Sequence, residues 1–407
     1  MPLTRAPTIW PLLVSAWPWI VFPLVALWRT RANRSLGESS AEPPDDAPLV
    51  SVVVPARDEA HNVARCLASL LATDWPRVEI VVVDDHSADG TGDIARATAA
   101  GDPRARVVTP PPLPSGWMGK QWACAAGAGL ARGSLLCFTD ADTIHARDLL
   151  PRAVNAMRDM DAALLSVVGR QELGGFWERA VQPLVLAVIA ARYGGTERVT
   201  GSRRVEDKIA NGQCLLVRRD AYESAGRHAA VRDRVSEDLV LAQRVHAAGG
   251  KVALVLGGDQ LATRMYRSLG DLVRGWRKNM YAGGIEGTPP RSLARRIFPL
   301  LLLFPPLMLL VPPALLALFA FGVVGAPVAR WAALATLSTL AFAGIPYRRA
   351  RLSPFWALTY PLGGAVLLTI VVQAIARGRR VSWKGRDYEA IDDSTHDGAA
   401  PDAVAGI

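Results

Sequence analysis

From Leu49 to Asp142 the chain alternates short β-branched runs with stretches of helical period, and most of the runs end in charged residues. "LVSVVVPA" is an apolar run closed by proline, and "DEAHNVARCLASLLA" after it places Val63, Leu67, Leu70 and Leu71 at helical spacing. "VEIVVVDDHSADGT" is a second run, followed by the helix "TGDIARATAAG" with its glycine stop. "ARVVTP", the small-residue helix "KQWACAAGAGLARG" and the run "SLLCFTDAD" continue the series. This alternation predicts an α/β domain with a mainly parallel sheet covered by helices on both faces.

Ligands of such sheets sit beyond the carboxyl ends of the strands. Arg57 and Glu59 follow the first run, Asp84 and Asp85 end the second, and Asp140 and Asp142 end the fourth. Three charged endings on one edge describe a site. A carboxylate beside a buried strand is costly unless something neutralises it. Hard oxygen ligands suit Mg2+ or Mn2+ bridging a nucleotide diphosphate. No G-x-G-x-x-G follows the first run and no P-loop pattern occurs, which argues against dinucleotide oxidoreductases and P-loop NTPases. His61, His86, His145, His228 and His246 form no metal-ligand pattern, and no Ser-His-Asp arrangement is visible. His86 reads as a turn residue and His145 as a cap of the following helix. The four cysteines show neither metal nor disulfide spacing and read as buried small residues in a reducing compartment.

Half of the residues are hydrophobic, and the excess lies at the two ends. Ile9 to Trp28 carries no charge and is long enough to span a bilayer core. Arg29, Arg31 and Arg34 follow it, against Arg5 alone before it, so the positive-inside bias places the next segment in the cytoplasm. A cleaved signal peptide is the alternative, but the run exceeds a usual h-region and no clear cleavage site follows. Three more apolar stretches, Ile297 to Val324, Trp331 to Ile345 and Phe355 to Ala376, occupy the C-terminal third. The first would run ~42 Å as one helix against a core of ~30 Å. It also carries Pro305, Pro306, Pro312 and Pro313, so a broken hairpin or re-entrant element is predicted there. The expected organisation is an N-terminal anchor (1–35), a linker (36–48), a catalytic domain (49–290), a C-terminal transmembrane region (291–380) and a partly disordered cytoplasmic tail (381–407). The net charge of +9 fits a protein lying against anionic membrane lipids. No basic stripe interleaved with aromatics appears, so nucleic acid is not an expected partner.

Four motifs carry a resemblance: "VSVVVPARDEAHNVARCLASLL", "VEIVVVDDHSADGT", "FTDADT" and "SEDLVLAQRVHAAGG". Each is weak alone, but in this order they resemble the family 2 glycosyltransferases, which have the GT-A fold, from about Leu49 to Gly284. "PSGWMGKQWACAAGA", "IANGQCLLVRRDAYESAGRH", "RMYRSLGDLVRGWRKNMYAG" and "VSWKGRDY" resemble the membrane-bound subgroup associated with carotenoid and hopanoid biosynthesis. Arg274-Gly275-Trp276-Arg277 stands where processive polysaccharide synthases carry Q-x-x-R-W, which favours single-sugar transfer.

The resemblance implies roles. Pro55, Arg57 and Glu59 would line the base pocket, and Asp84, with Asp85 beside it, would receive base or ribose. Asp140 would contact ribose or a metal-bound water, and Asp142 would ligate Mn2+ or Mg2+ at the diphosphate. Lys120 would approach the phosphates as a point charge; a solvated lysine at a helix start is the competing reading. Asp238, with Glu237 beside it, would be the general base of an inverting transfer, and N-capping by an acidic pair is the alternative. Trp276 and Arg277 would hold acceptor or pyrophosphate, or else form a core tryptophan with a snorkelling arginine. Phe176 to Gly195 reads as an interfacial helix beside the acceptor entrance, or as a buried core helix, and the glycine-flanked segment after it as a mobile gate. The expected protein is a multi-pass enzyme of the inner (plasma) membrane with its catalytic domain in the cytoplasm. It would move sugar from a nucleotide-diphosphate donor to a lipid or isoprenoid acceptor. A polyprenyl-phosphate glycosyltransferase and a non-catalytic membrane scaffold are the competing readings.

Overall fold

The structure, a computed structural model, describes residues 14–289, 291–378 and 380–389. Eight strands form one mixed sheet in the order β3-β2-β1-β4-β7-β6-β8-β5. β1 (Val50–Ala56), β2 (Val78–Asp84), β3 (Ala105–Val108) and β4 (Leu135–Phe138) are the runs read from the sequence, and all pair in parallel. Beyond β4 the sheet is less regular. β7 (Leu215–Arg218) is antiparallel to both β4 and β6 (Leu164–Gln171), and β8 (Val252–Thr263) pairs in parallel with β6 and antiparallel with β5 (Thr143–His145).

The parallel half forms because β1 and β2 can be buried on both faces. Every β2 residue is buried, including Glu79, whose carboxylate accepts from Ser51 Oγ (2.5 Å) and Arg132 Nε (2.9 Å). Helices Val63–Leu71, Thr91–Ala99 and Leu149–Asp159 cover one face, while Gly119–Leu130 and Glu237–Ala247 cover the other. The helix Gly119–Leu130 lies so close to the sheet that a Cβ at Gly127 would come within 2.5 Å of Val53 Cγ1. Its run of alanine and glycine is therefore a packing requirement. Leu36 and Ala47, in the segment expected to be a linker, are buried in the first of these cores.

Three helices are long and apolar enough to cross a membrane: Phe298–Ala320, Ala326–Arg349 and Pro354–Arg377. The first corrects the expectation of a broken or re-entrant element, because it is one continuous helix of 23 residues with Pro305, Pro306, Pro312 and Pro313 in its interior. Its prolines recur seven apart, which puts the carbonyls they leave without donors on one stripe. A neighbouring side chain reaches that stripe. Trp19 Nε1 donates to Met308 O (2.8 Å), the carbonyl deprived by Pro312. The same device recurs in helix Trp17–Arg29, where Ser338 Oγ donates to Trp19 O (2.8 Å), deprived by Pro23. The predicted N-terminal span begins outside the described residues. Within them it is a helix of 13 residues. Trp17, Leu24, Leu300, Phe321, Phe355 and Leu362 are exposed, as suits contact with lipid rather than water.

Candidate active site

The carboxyl ends of β1, β2 and β4 open into one cleft, lined among others by Pro55, Arg57, Glu59, Asp85, Asp140 and Asp142. The register explains the gathering. β1 lies between β2 and β4 with Ala56 opposite Asp84 and Val53 opposite Phe138, so the three following loops emerge side by side. Asp84 is the exception. Strand alternation directs it to the face of Ile80 and Val82, where Oδ1 accepts from Ser87 N (3.2 Å) and a Cβ at Gly92 would stand 2.3 Å from Oδ2. It closes the turn under helix Thr91–Ala99, while Asp85 lines the cleft.

Asp140 and Asp142 lie on the turn between β4 and β5, and buried hydroxyls hold that turn. Thr139 Oγ1 donates to Gln213 O (2.6 Å), Thr143 Oγ1 donates to Asp140 O (2.6 Å), and His145 Nε2 is 3.0 Å from Thr139 Oγ1. His145 therefore lies in strand β5 instead of capping a helix, and burial pushes its pKa down to about 4, so its ring is neutral. Asp142 Oδ1 is buried without a hydrogen-bond partner among the described residues. Burial, then the carboxylates of Asp140 and Glu59, push the Asp142 carboxyl up to about 7. An orphaned carboxylate oxygen beside a second carboxylate is a donor set that fits a hard divalent cation. Among the described residues no group of three His, Cys, Asp or Glu side chains could form a cation site unaided.

Across the cleft, helix Glu237–Ala247 carries Glu237 and Asp238 in its first turn. Lys120 Nζ lies 2.7 Å from Asp140 Oδ1 and 2.7 Å from Glu237 Oε1, tying the two walls together. Burial works against the Lys120 charge, but Asp140, Glu237 and Asp238 hold its pKa well above the usual lysine value. Burial likewise opposes ionisation of Glu237, and Lys120 overrides it. Asp238 accepts from Gly212 N (2.7 Å) at Oδ2 and from Leu239 N (2.8 Å) at Oδ1. Burial and the Glu237 charge raise its carboxyl to about 6.

The segment expected to be a gate is pinned. Val199 and Lys208 are buried, and Lys208 Nζ donates to Val199 O (2.9 Å) and Thr200 O (3.0 Å). Its end delivers the Gly212 amide to Asp238. Trp276 is buried, with Nε1 donating to Gln182 Oε1 (3.0 Å), and Arg277 Nη1 donates to Gln373 Oε1 (3.1 Å). Both line the same cavity, which has a volume of about 2090 Å³ and extends from the cleft to Phe22, Ile189, Phe298 and Leu302 among the apolar helices. Lys278, which the motifs did not single out, also lines it, and burial lowers its pKa although Glu237 opposes this.

Residues 51–226 match the family model described as Glycosyl transferase family 2. The chain is 25% identical over 348 residues to a 4,4'-diaponeurosporenoate glycosyltransferase of Staphylococcus aureus strain MRSA252, covering 83% of this chain and 88% of that one. A solved mannosyltransferase of Pyrobaculum calidifontis, PcManGT in complex with GDP-Man and Mn2+, superposes with a TM-score of 0.58 at 22% identity, over 90% of this chain and 98% of that one. The chain is a glycosyltransferase, with a family 2 domain built on the GT-A fold.

Proposed function

We propose that this protein transfers a single sugar, with inversion, from a nucleotide-diphosphate sugar to a hydroxyl of a lipid or isoprenoid acceptor at the cytoplasmic face of the membrane. The observation that carries the reading is the continuity of one cavity, from the carboxylates of Asp142 and Asp238 to the apolar helices Phe176–Tyr193 and Phe298–Ala320. A nucleotide needs the first environment and a lipid tail the second.

The donor lies with its base and ribose against Pro55, Arg57, Glu59 and Asp85, and its diphosphate toward Asp140 and Asp142. A divalent cation held by Asp142 and Asp140 would neutralise charge developing on the departing diphosphate. The acceptor enters between the apolar helices and brings its hydroxyl to Asp238. As the acceptor oxygen attacks the anomeric carbon, Asp238 takes its proton, and the bond from that carbon to the diphosphate breaks on the opposite side. A base with a pKa of about 6 is largely ionised at pH 7 yet basic enough to accept a proton. The backbone amides of Gly212 and Leu239 orient it. Lys120 pairs with Asp140 and Glu237, so that Asp238 is the carboxylate of the cluster left available as base.

A second reading, an acceptor oxygen that is already anionic, is favoured by the relative's name, which is that of a carboxylate. Such an acceptor needs no base. The decisive experiment is transfer of labelled sugar from UDP-, GDP- and dTDP-sugars, with Mn2+ or Mg2+, to a membrane lipid extract, followed by mass analysis of the labelled lipid. Absence of both lipid labelling and nucleoside-diphosphate release with every donor would sink the proposal.

A further inference from the structure

The last described residues return to the cleft. After the helix Tyr360–Arg377, Gly378 (φ +56) turns the chain into β9 (Arg380–Trp383) and β10 (Arg386–Glu389), an antiparallel pair. Lys384 and Gly385, with φ of +47 and +76, form the two-residue turn at its tip. From residue 381 on, this hairpin belongs to the segment expected to be a partly disordered cytoplasmic tail.

The hairpin touches the loops that build the site. Lys384 Nζ is 2.9 Å from Glu59 Oε1 and donates to Asp58 O (3.0 Å), and Lys384 O accepts from Arg57 Nε (3.3 Å). Arg386 Nη1 and Nη2 lie 2.6 and 3.3 Å from the two oxygens of Asp85. Tyr388 packs on Met118 and Val235, and its hydroxyl accepts from Gly119 N (3.3 Å), one residue before Lys120. Six polar contacts thus reach the loops after β1 and β2 and the start of helix Gly119–Leu130. The Asp85 side chain is only 2% exposed, enclosed between Arg386 and Arg57, whose Nη1 is 3.7 Å away. Yet the cleft stays open beside the hairpin, with Lys384 and Gly385 among its lining residues. The tip walls the cleft without filling it.

We propose that the hairpin 380–389 is the outer wall of the donor subsite, in which Lys384 and Arg386 are positioning residues that hold Glu59 and Asp85 against the nucleoside of a nucleoside-diphosphate donor. The inference rests on the donor reading above. Without Arg386, a buried carboxylate would keep one arginine at a longer distance, and the β2 loop would lose a two-point restraint. The hairpin is joined through two residues to a helix that packs against Phe176–Tyr193 and Leu269–Glu286, which line the acceptor half of the cavity. The donor wall is therefore tethered to a helix that packs on the acceptor wall.

The test uses the full chain in detergent, titrated calorimetrically with UDP, GDP and dTDP in the presence of Mn2+. Arg386→Ala and a chain ending at Gly378 are expected to bind the preferred nucleoside diphosphate about tenfold more weakly, the scale of one charge-assisted pair. In turnover, the donor KM of Arg386→Ala rises by the same factor while kcat and the acceptor KM stay within about twofold, a split that loss of fold would not produce. Arg386→Lys recovers only part of the affinity, because a point charge cannot bridge both oxygens. Should Arg386→Ala unfold, Lys384→Ala carries the same test through the more accessible Glu59. Unchanged affinity in these variants while the intact chain binds overturns the wall and leaves the donor reading standing. Tighter binding by the truncated chain also overturns it, since the hairpin would then obstruct the site. Failure of the intact chain to bind any of the three nucleotides removes the donor reading itself, and the wall with it.

Discussion

Lys120 and Glu237 come from opposite walls of the cleft and meet at 2.7 Å, and the same ammonium holds Asp140 at 2.7 Å. The pair is nearly enclosed, with side-chain exposures of 24% and 9%. Removing one partner of such a pair leaves the other buried and uncompensated. Lys120→Met is therefore expected to destabilise the ligand-free protein by about 3 kcal/mol. It should also abolish transfer, because Asp140, Glu237 and Asp238 would then share protons. Thermal unfolding and transfer assays on one preparation check both. Unchanged stability with unchanged turnover would mean that the ion pair does not organise the site.

Asp238→Asn keeps the volume and can still accept from Gly212, but it cannot take a proton. Its kcat should fall about 10³-fold, with nucleoside-diphosphate affinity within about threefold of the parent. Loss of less than about tenfold would favour the anionic acceptor.

The pH profile follows from the same residue. Its folded pKa of about 6 lies above the usual aspartate value, and the acting form is the ionised one. The rate kcat/KM should therefore be low below pH 6 and rise about tenfold per unit toward a plateau above it, when measured over a range in which the protein remains folded. An acidic limb centred below about pH 4.5 would show that another group controls the rate.

Asp142 makes a stability prediction. Its carboxyl sits near pH 7 when folded and near 4 when unfolded, so folding takes up a proton between those values. That contribution to stability is present below pH 4 and is lost as the pH rises through 7. At pH 8 the metal-free protein buries an ionised, orphaned oxygen, and Asp142→Asn should stabilise it by about 1 kcal/mol while eliminating Mn2+-dependent nucleotide binding. A lower unfolding midpoint for the variant at pH 8, without metal, would contradict the assignment.

Gly212 faces the ion cluster, and a Cβ there would stand 2.8 Å from Lys120 Nζ and 3.5 Å from Asp238 Oδ2. Gly212→Ala should cut kcat at least tenfold through displacement of these groups, on the scale that small misplacements cost, with the unfolding midpoint little changed. Full activity would show that the cluster accommodates a Cβ at residue 212 without displacing Lys120 or Asp238.

Local pattern settled much of this protein. Continuous β-branched runs can be buried only within a sheet, so β1, β2 and β4 and their charged endings were legible, as was the apolar character of the C-terminal third. The turn that carries Asp140 and Asp142 and the acidic pair at 237–238 were legible as candidates because both lie at element ends. What the pattern could not supply was direction and partnership. Asp84 and Asp85 are adjacent, and only the pleat and the packing of helix Thr91–Ala99 decide which one reaches the cleft. The prolines of Phe298–Ala320 argue locally for a break, but the carbonyl that Pro312 strands is met by an indole from the N-terminal helix, a contact across 289 residues. Within the hairpin 380–389 the motif "VSWKGRDY" is legible as a motif, but its place in the site is not until its cations are seen beside Glu59 and Asp85. Periodicity records which face of an element avoids water. Which charge answers a buried charge depends on atoms brought together from distant parts of the chain, and only the folded molecule contains that distance.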